Sequence, residues 1–248
     1  MRGSAHFPSS AIHVRAIILA AGQGTRLLPF TRDYPKCLVP VDGKAILDHQ
    51  IDALRAAGIA DILIVGGYRI DRLEQHIAAM PAAMRPALLC NPFWSVANSI
   101  GSVWAARGAL DEPFCLLNGD TILASDVIAG AWASARAGVG LVVEAAPELA
   151  LDDMRVTVHE GRITAVGKDL GEEARHRSLG VIVASGGGER VYAEALTAVI
   201  CATGGAQRFH HAVIDHIARA GTVAALVNSN PQWIEIDRPE DIARWQGR

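Results

Sequence analysis

Two glycines stand directly after the first apolar run of the chain, in the stretch 19–29 with the sequence LAAGQGTRLLP. Small residues and glycines let the backbone pass close to a ligand, and the exposed N–H groups of such a turn can bind phosphate oxygens. Arg26 adds a cation, and ten residues later Lys36 stands between Pro35 and Pro40. Prolines restrict the local backbone and could hold the ammonium group in place. The pattern predicts a phosphate-binding loop served by two cations.

The charge around this loop is opposite to that of the whole chain. The 248 residues include 23 Lys and Arg and 26 Asp and Glu, which give a formal net charge of −3. Between Arg15 and Lys44, by contrast, five basic and two acidic residues give +3. The overall charge offers no case for a nucleic-acid or anionic-membrane partner. Phosphate binding is therefore expected to be local.

Two aspartates follow other strand-like segments. Asp120 comes after 114–117, and ligands bind in open α/β sheets beyond the carboxyl ends of strands. Asp237 follows the last apolar run, 233–236, just before Pro239. Mg²⁺ is usually held by one or two carboxylates together with phosphate oxygens and water, so this pair is a candidate metal site. The alternatives are a solvated turn for Asp120 and a helix cap for Asp237.

From Val14 to about residue 145 the chain alternates short apolar runs with amphipathic ones. The apolar runs predict buried strands at 14–19, 62–65, 87–89, 114–117 and 140–143. The amphipathic runs predict helices marked by Ile46, Leu47, Ile51 and Leu54 with Gly58 as the C-cap, by Ile70, Leu73 and Ile77, and by the segment 99–109. This order predicts strand–helix repeats of a doubly wound sheet with right-handed crossovers.

After Pro147 the pattern changes. Segments 154–158 and 162–166 alternate around Glu160 and Gly161, which predicts an antiparallel hairpin. The remaining predicted elements are helices at 189–200 and 207–220, strands at 222–227 and 233–236, and a short helix opened by Pro239. The fold class predicted is α/β, a doubly wound, mostly parallel mixed sheet with a hairpin insertion. Residues 1–12 are expected to be a flexible leader and 13–248 a single domain.

The whole string from Leu19 to Lys44 resembles a signature of nucleotidyltransferases that join a nucleoside triphosphate to a sugar phosphate or alcohol phosphate. The shared pattern is L-A-A-G-x-G-T-R-L-x-P-x-T followed by P-K-x-L-V-P-V-x-G-K. The resemblance implies a Rossmann-like nucleotidyltransferase fold, Mg²⁺ as cofactor and release of pyrophosphate. It implies catalytic roles for Arg26 and Lys36, and metal binding by Asp120 and Asp237. The nucleotide-binding residues predicted are Leu19, Ala20, Ala21, Gly22, Gly24, Thr25, Arg26, Asn98, Ser102, Gly119 and Asp120.

A dinucleotide-binding oxidoreductase is the rival class, since its fold also opens with a glycine turn after the first strand. That class needs G-x-G-x-x-G and an acidic residue about 20 positions later at a strand end. The stretch 22–27 has no third glycine, and the later position falls in a loop near 40–44. A module that senses nucleotides without catalysis is a second rival, but Arg26, Lys36, Asp120 and Asp237 all being present argues against it.

The segment 91–104 points to a subfamily. Related sugar-phosphate enzymes usually carry a G-T-A-G or G-T-G-G run here, whereas this chain has Asn-Ser-Ile-Gly-Ser at 98–102. That run is more similar to cytidylyltransferases acting on choline phosphate and related alcohol phosphates. Asn98 and Ser102 could then contact a pyrimidine edge and favour CTP, or Asn98 or Ser99 could simply cap a helix. The alternative function is a sugar-1-phosphate nucleotidyltransferase using UTP, dTTP or GTP.

The predicted acceptor side is basic and lacks aromatic residues. A quaternary ammonium is best recognised over aromatic faces, and 151–184 contains no Phe, Tyr or Trp, which argues against choline phosphate. Arg155 and Lys168 are predicted to bind an acceptor rich in hydroxyls or oxyanions, and Lys168 resembles the lysine that related sugar enzymes use for the acceptor phosphate. Three aromatic residues could still form a partial cage: Trp94, Phe209 and Trp233.

The histidines and cysteines show no metal-site spacing. His210, His211 and His216 lie on a predicted helix without a matching frame of cysteines or carboxylates, and are read as structural. The four cysteines are scattered and read as buried thiols: Cys37, Cys90, Cys115 and Cys201. No apolar run approaches the roughly 20 residues of a membrane helix. A cytoplasmic enzyme that does not bind nucleic acid or membranes is expected, and a homodimer is left open.

Overall fold

The computed structural model describes residues 14–135, 137–221 and 223–246. The expected leader at 1–12 and position 222 of a predicted strand lie outside the described residues. The strands are β1 (Arg15–Ala20), β2 (Pro40–Val41), β3 (Lys44–Ala45), β4 (Asp61–Gly66), β5 (Ala87–Cys90), β6 (Phe114–Asn118), β7 (Thr121–Leu123), β8 (Gly138–Ala145), β9 (Arg155–His159), β10 (Arg162–Gly167), β11 (His176–Ser185), β12 (Val223–Val227) and β13 (Trp233–Glu235). The α-helices are α1 (Ile46–Ala56), α2 (Ile70–Ala79), α3 (Ser99–Ala105), α4 (Ser125–Ser134), α5 (Gly188–Ile200), α6 (His211–Ala218) and α7 (Pro239–Gln246).

The main sheet of the described residues has nine strands in the order β5-β4-β1-β6-β11-β8-β12-β10-β9. Its first four strands pair in parallel, as the alternation of apolar runs and helices predicts. Ile17 and Ile18 on β1 are both fully buried, because helices cover both faces of this part of the sheet. The α/β prediction is confirmed.

The second part of the sheet is mixed rather than mostly parallel. β11 runs antiparallel to β6, β8 and β9, and only the pair of β8 and β12 is parallel there. β9 and β10 pair antiparallel at the edge, joined at Glu160 and Gly161, whose φ angles of 50° and 74° suit a tight hairpin turn. The predominance of parallel pairs is therefore limited to the first half, because β11 reverses the chain direction.

The helices pack on two sides of this sheet. One core contains residues of α5 and α6 together with Ile100 and Val103 of α3. The other core contains residues of α1, α2 and α4. The helix predicted at 99–109 ends at Ala105 and continues as a 3-10 turn, and the one predicted at 207–220 begins only at His211. α4 was not predicted, because its Ala, Gly and Ser residues give no clear apolar stripe.

A second, two-stranded sheet positions the two predicted metal ligands. β7 and β13 pair antiparallel, with Thr121 opposite Glu235. The Ile236 N–H donates to the Asp120 carbonyl at 2.9 Å. Residues far apart in the chain are thus held side by side at the end of β6. Within the residues that the structure describes, no helix is both long and apolar enough to span a bilayer.

Candidate active site

A cavity of about 300 Å³ opens beyond the carboxyl ends of β1 and β6. This is the edge where ligands bind in open α/β sheets. One wall comes from the glycine loop, α3 and the turn after β6, and the other from segments between Asp152 and His211, and Glu235 and Asp237 complete the lining. The residues that line it are Leu19, Ala21, Gly22, Arg26, Trp94, Ala97, Asn98, Ser99, Ser102, Asn118, Gly119, Asp120, Asp152, Met154, Lys168, Ser178, Gly180, Phe209, His210, His211, Glu235 and Asp237.

Gly24 leaves space for the Lys36 side chain because it has no side chain of its own. It has a φ of +72°, and its carbonyl accepts hydrogen bonds from the Leu27 N–H and the Thr31 hydroxyl. A Cβ at this position would lie 2.8 Å from carbons of the Lys36 side chain. Gly24, Ala20 and Thr25 do not line the cavity, unlike the other predicted residues of the loop. Gly24 therefore serves the site by shaping the turn and admitting the lysine stem.

The cations predicted to be catalytic converge on the aspartates predicted to hold metal. Lys36 Nζ lies 2.7 Å from Asp120 Oδ2 and also donates to Asp237 Oδ1. Arg26 binds Asp237 at 2.7 Å and Asp152 at 3.0 Å. Burial acts to lower the pKa of Lys36, but the charges of Asp120 and Asp237 outweigh it and raise the pKa above its ordinary value. The lysine therefore stays charged.

Glu235 adds a third carboxylate that the sequence reading missed. Oxygens of Asp120, Glu235 and Asp237 all lie within 4.8 Å of one another. The Glu235 side chain as a whole is exposed. Its carboxylate is nevertheless surrounded by protein atoms that exclude water. This desolvation raises its pKa to about 8, and the charges of Asp120 and Asp237 act in the same direction.

The three carboxylates fit a divalent cation. Carboxylate oxygens are the ligands that Mg²⁺ takes in proteins, and a dication would relieve the repulsion among these groups. Alternation along a strand was the signal that could have found the third one, since Glu235 and Asp237 are two residues apart and such residues share a face. Asp152, which binds Arg26, gives no such signal because it stands in a loop.

The segment 98–102, predicted to contact the nucleotide base, both caps helix α3 and lines the cavity. Asn98 Oδ1 accepts from the Ser99 N–H at 2.7 Å, so the capping role is real. Ser102 is buried, and its hydroxyl oxygen accepts from the amide of Asn91 at 3.1 Å. Asn98 and Ser102 nevertheless both face the cavity. Neither placement decides which base is bound.

On the other wall, the structure brings only one of the two predicted acceptor-binding residues to the cavity. Lys168 lines it, with Nζ 4.8 Å from the centre of the Phe209 ring. Arg155 does not, because its guanidinium donates to the Leu170 carbonyl at 3.1 Å. Trp94 also lines the cavity. Trp233 instead lies under the Arg177 guanidinium, outside this cavity.

Two of the three histidines line the cavity as well. His210 Nδ1 lies 3.1 Å from the Ser99 hydroxyl, and His211 Nε2 lies 3.0 Å from that of Ser178. Burial lowers the pKa of His210 to about 4 and that of His211 well below its ordinary value, so both rings are neutral. His216 is exposed.

Comparison with known families identifies the chain. MobA-like NTP transferase domains match residues 16–227. The chain belongs to this family. The likeness of the domain to a CTP:phosphocholine cytidylyltransferase structure from Streptococcus pneumoniae, with a TM-score of 0.77 and 20% identity over 95% of this chain and 99% of that one, shows the fold.

Two curated relatives show how the NTP transferase domain compares in sequence. A CTP:phosphoglutamine cytidylyltransferase of Campylobacter jejuni is 52% identical over 64 residues, which cover 26% of this chain and 25% of the relative. An N-acetylmuramate alpha-1-phosphate uridylyltransferase of Caulobacter vibrioides is 35% identical over 142 residues, or 54% of this chain and 59% of the relative. The chain thus spans less than two thirds of either relative.

Proposed function

We propose that this NTP transferase domain is a Mg²⁺-dependent cytidylyltransferase that joins CTP to a small phosphorylated or phosphonate acceptor and releases pyrophosphate. The observation that carries the proposal is the convergence of Lys36 and Arg26 with three carboxylates beside the glycine loop. Arg26 and the three carboxylates line one cavity, and Lys36 is bonded to two of these carboxylates, so the arrangement supplies cations for phosphate oxygens and ligands for a metal.

The reaction needs no covalent nucleophile. An oxygen of the acceptor phosphate or phosphonate forms a bond to the α-phosphorus, and the bond from that phosphorus to the pyrophosphate oxygen breaks. Repulsion between two anions is the obstacle, so positioned cations are the main catalytic resource. Lys36 and Arg26 would neutralise and align the phosphates, exchanging their carboxylate partners for phosphate oxygens. Mg²⁺ held by Asp120, Glu235 and Asp237 would polarise the phosphoryl group and balance the charge of the pyrophosphate.

We assign Asn98 and Ser102 to the edge of a pyrimidine base, because both line the cavity together with residues of the glycine loop. Asn98 Oδ1 accepts the N–H of Ser99, which leaves its amide NH₂ to donate to a base. The relatives include enzymes named for CTP and for UTP, so the family alone does not choose between cytosine and uracil.

The acceptor wall favours an anion over a quaternary ammonium. The Lys168 ammonium lies over the Phe209 ring, and this aromatic face is therefore already matched with a cation. Lys168 would bind the acceptor phosphate or phosphonate, and the hairpin of β9 and β10 would form the outer part of this acceptor side. A small polyol phosphate or an alkyl phosphonate suits such a wall.

The test is pyrophosphate release from CTP, UTP, dTTP, GTP or ATP with Mg²⁺, against sugar 1-phosphates, polyol phosphates, choline phosphate and 2-aminoethylphosphonate. Release with CTP and a small alcohol phosphate or phosphonate is expected. Release with UTP, dTTP or GTP and a sugar 1-phosphate would support nucleotidyl transfer but overturn the proposed base and acceptor. Asp120→Asn, which keeps the side-chain shape and removes the charge, is the matched control and should be inactive. Nucleotide binding with no release across the panel would favour a sensing module.

A further inference from the structure

Ser178 stands at a break in strand β11, directly against the site. The register of β11 with β8 shifts between Ser178 and Ile182, and Gly180 within this bulge has a φ of +71°. A Cβ on Gly180 would lie 2.5 Å from the Asn118 side chain, two residues before Asp120. The bulge therefore presses against the end of β6, and Ser178 lines the cavity there. Bulges commonly redirect a side chain next to an active site.

The hydroxyl oxygen of Ser178 is held from two sides. The Gly180 N–H donates to it at 3.0 Å, and His211 Nε2 lies 3.0 Å from it. A serine hydroxyl has two lone pairs and one proton, so two donors fill its acceptor capacity. The position of its own proton then depends on which nitrogen of His211 carries hydrogen.

The surroundings of His211 select one tautomer. Among the described residues, His211 Nδ1 is buried without a hydrogen-bond partner. A buried N–H without a partner is rarer in native proteins than an acceptor that lacks one. The hydrogen of the neutral ring is therefore placed on Nε2, from where it donates to Ser178. With both lone pairs engaged, the hydroxyl proton of Ser178 has no acceptor among the residues described and is available to the cavity.

We propose that the Ser178 hydroxyl donates to an oxygen of the acceptor's phosphoryl or phosphonyl group, and that His211 is the positioning residue that orients it. The inference rests on the proposed function and deepens it. Ser178 and Lys168 would together bind the acceptor group from one wall, whereas the nucleotide phosphates face the opposite wall. His210 and Ser99 of α3 form a second histidine–serine pair, which links the α3 side of the cavity to the start of α6.

The experiment measures binding of methylphosphonate by ³¹P NMR titration, with Mg²⁺ and a non-hydrolysable CTP analogue present. Ser178→Ala is expected to weaken methylphosphonate binding about tenfold or more, since the hydrogen bond that is lost goes to a charged group. Ser178→Thr, which keeps the hydroxyl, should retain most of the affinity. Affinity for the CTP analogue should change less than about twofold, well below the effect of such a bond.

The role of His211 is tested with a conservative pair of variants. His211→Phe removes the donor and should weaken methylphosphonate binding, whereas His211→Gln keeps an N–H and should restore it. A merely structural role would lower the melting temperature of both variants without this difference in affinity. Ser99→Ala is the matched control, because it breaks the other histidine–serine pair and should weaken the CTP analogue rather than methylphosphonate.

The outcomes separate the two proposals. Unchanged methylphosphonate affinity in Ser178→Ala, or no binding by the unaltered protein, overturns the role of Ser178. Absence of pyrophosphate release in the substrate panel, with the Ser178 effect on methylphosphonate intact, overturns the proposed function and leaves this anion subsite standing.

Discussion

The two walls of the cavity hold their cations in different ways. On the nucleotide side, Lys36 is bonded to Asp120 and Asp237, and Arg26 to Asp152 and Asp237. On the acceptor side, the contact found for the Lys168 ammonium among the described residues is the ring of Phe209. Lys36 and Arg26 are thus already neutralised, while within residues 14–135, 137–221 and 223–246 no carboxylate forms an ion pair with Lys168. Under the proposed function, the difference predicts that nucleotide binding requires an exchange of partners and that acceptor binding does not.

The walls also differ in how the chain builds them. The glycine loop and Lys36 come from one continuous stretch that follows β1 in the parallel half of the sheet. Ser178 stands on β11, whereas Lys168 directly follows β10 and Phe209 precedes α6, all in the antiparallel-rich half. A change in the first wall should therefore affect the nucleotide chemistry directly, and a change in the second should affect the acceptor alone.

The largest effect is expected for Lys36→Ala. Loss of a cation that meets the developing charge typically lowers the rate by about 10²–10³-fold. The measurement is turnover by pyrophosphate release, with a melting curve to show that the variant is folded. Lys44→Ala is the matched control, because Lys44 pairs with Asp52 outside this cavity. Near-normal turnover of Lys36→Ala would contradict the assigned role.

The second prediction concerns the contact between β11 and the end of β6, where the parallel and the antiparallel-rich halves of the sheet meet. Gly180→Ala should lower the free energy of unfolding by about 2–4 kcal/mol, because a left-handed backbone conformation and close packing against Asn118 both oppose a Cβ. Gly161→Ala is the control, since Gly161 has a φ of +74° but open space around it. It should cost only about 1 kcal/mol. Equal losses in urea denaturation would show that contact with Asn118 adds nothing.

The parts of the site and of the fold that the sequence predicted depend on residues that lie close together in the chain. The glycine loop and Lys36 lie within 18 residues of one another, and Asp120 and Asp237 each follow an apolar strand, so local patterns predicted that part of the site. Whether these residues perform the assigned chemistry stays a prediction. The first four parallel strands were predicted for the same reason, since each is a short apolar run and the first three runs are each followed by a helix-like pattern.

The parts of the site that the sequence did not predict depend on pairing between strands that are distant in the chain. Ser178 reaches the cavity through a bulge in β11, whose position depends on pairing with β6 and β8. Arg155 was predicted at the acceptor site because of its charge, but it stands at the first residue of β9 and binds the Leu170 carbonyl. The apolar pattern gives neither the register of β11 nor the direction of a charged side chain at a strand end.

The third prediction tests the difference between the walls. Lys168→Ala should raise the KM for the acceptor about tenfold or more, since an ionic hydrogen bond of roughly 1.5–3 kcal/mol is lost, and should leave the KM for CTP unchanged. Arg155→Ala is the matched control and should change neither constant. The comparison fails if the Arg155 variant raises the acceptor KM and the Lys168 variant does not.

The smallest effect is expected far from the cavity, in the parallel half, where His76 on α2 lies 2.8 Å from Asp48 on α1. The hydrogen bond to Asp48 raises the pKa of His76 above its unfolded value of about 6.5, against the opposing effect of burial. A raised folded pKa stabilises the protonated native state, so the contribution is fully present below the unfolded pKa and is lost as pH rises through the folded pKa.

His76→Gln should therefore reduce the free energy of unfolding more at pH 5.5 than at pH 8.5, by less than about 1 kcal/mol because the pair is partly exposed. Urea denaturation at the two pH values measures it. His159→Gln, at the exposed end of β9, is the control for the loss of a histidine as such. A deficit for His76→Gln that grows at alkaline pH would contradict the ion pair. Unchanged KM values for both substrates would confirm that this contact serves helix packing and neither wall of the cavity.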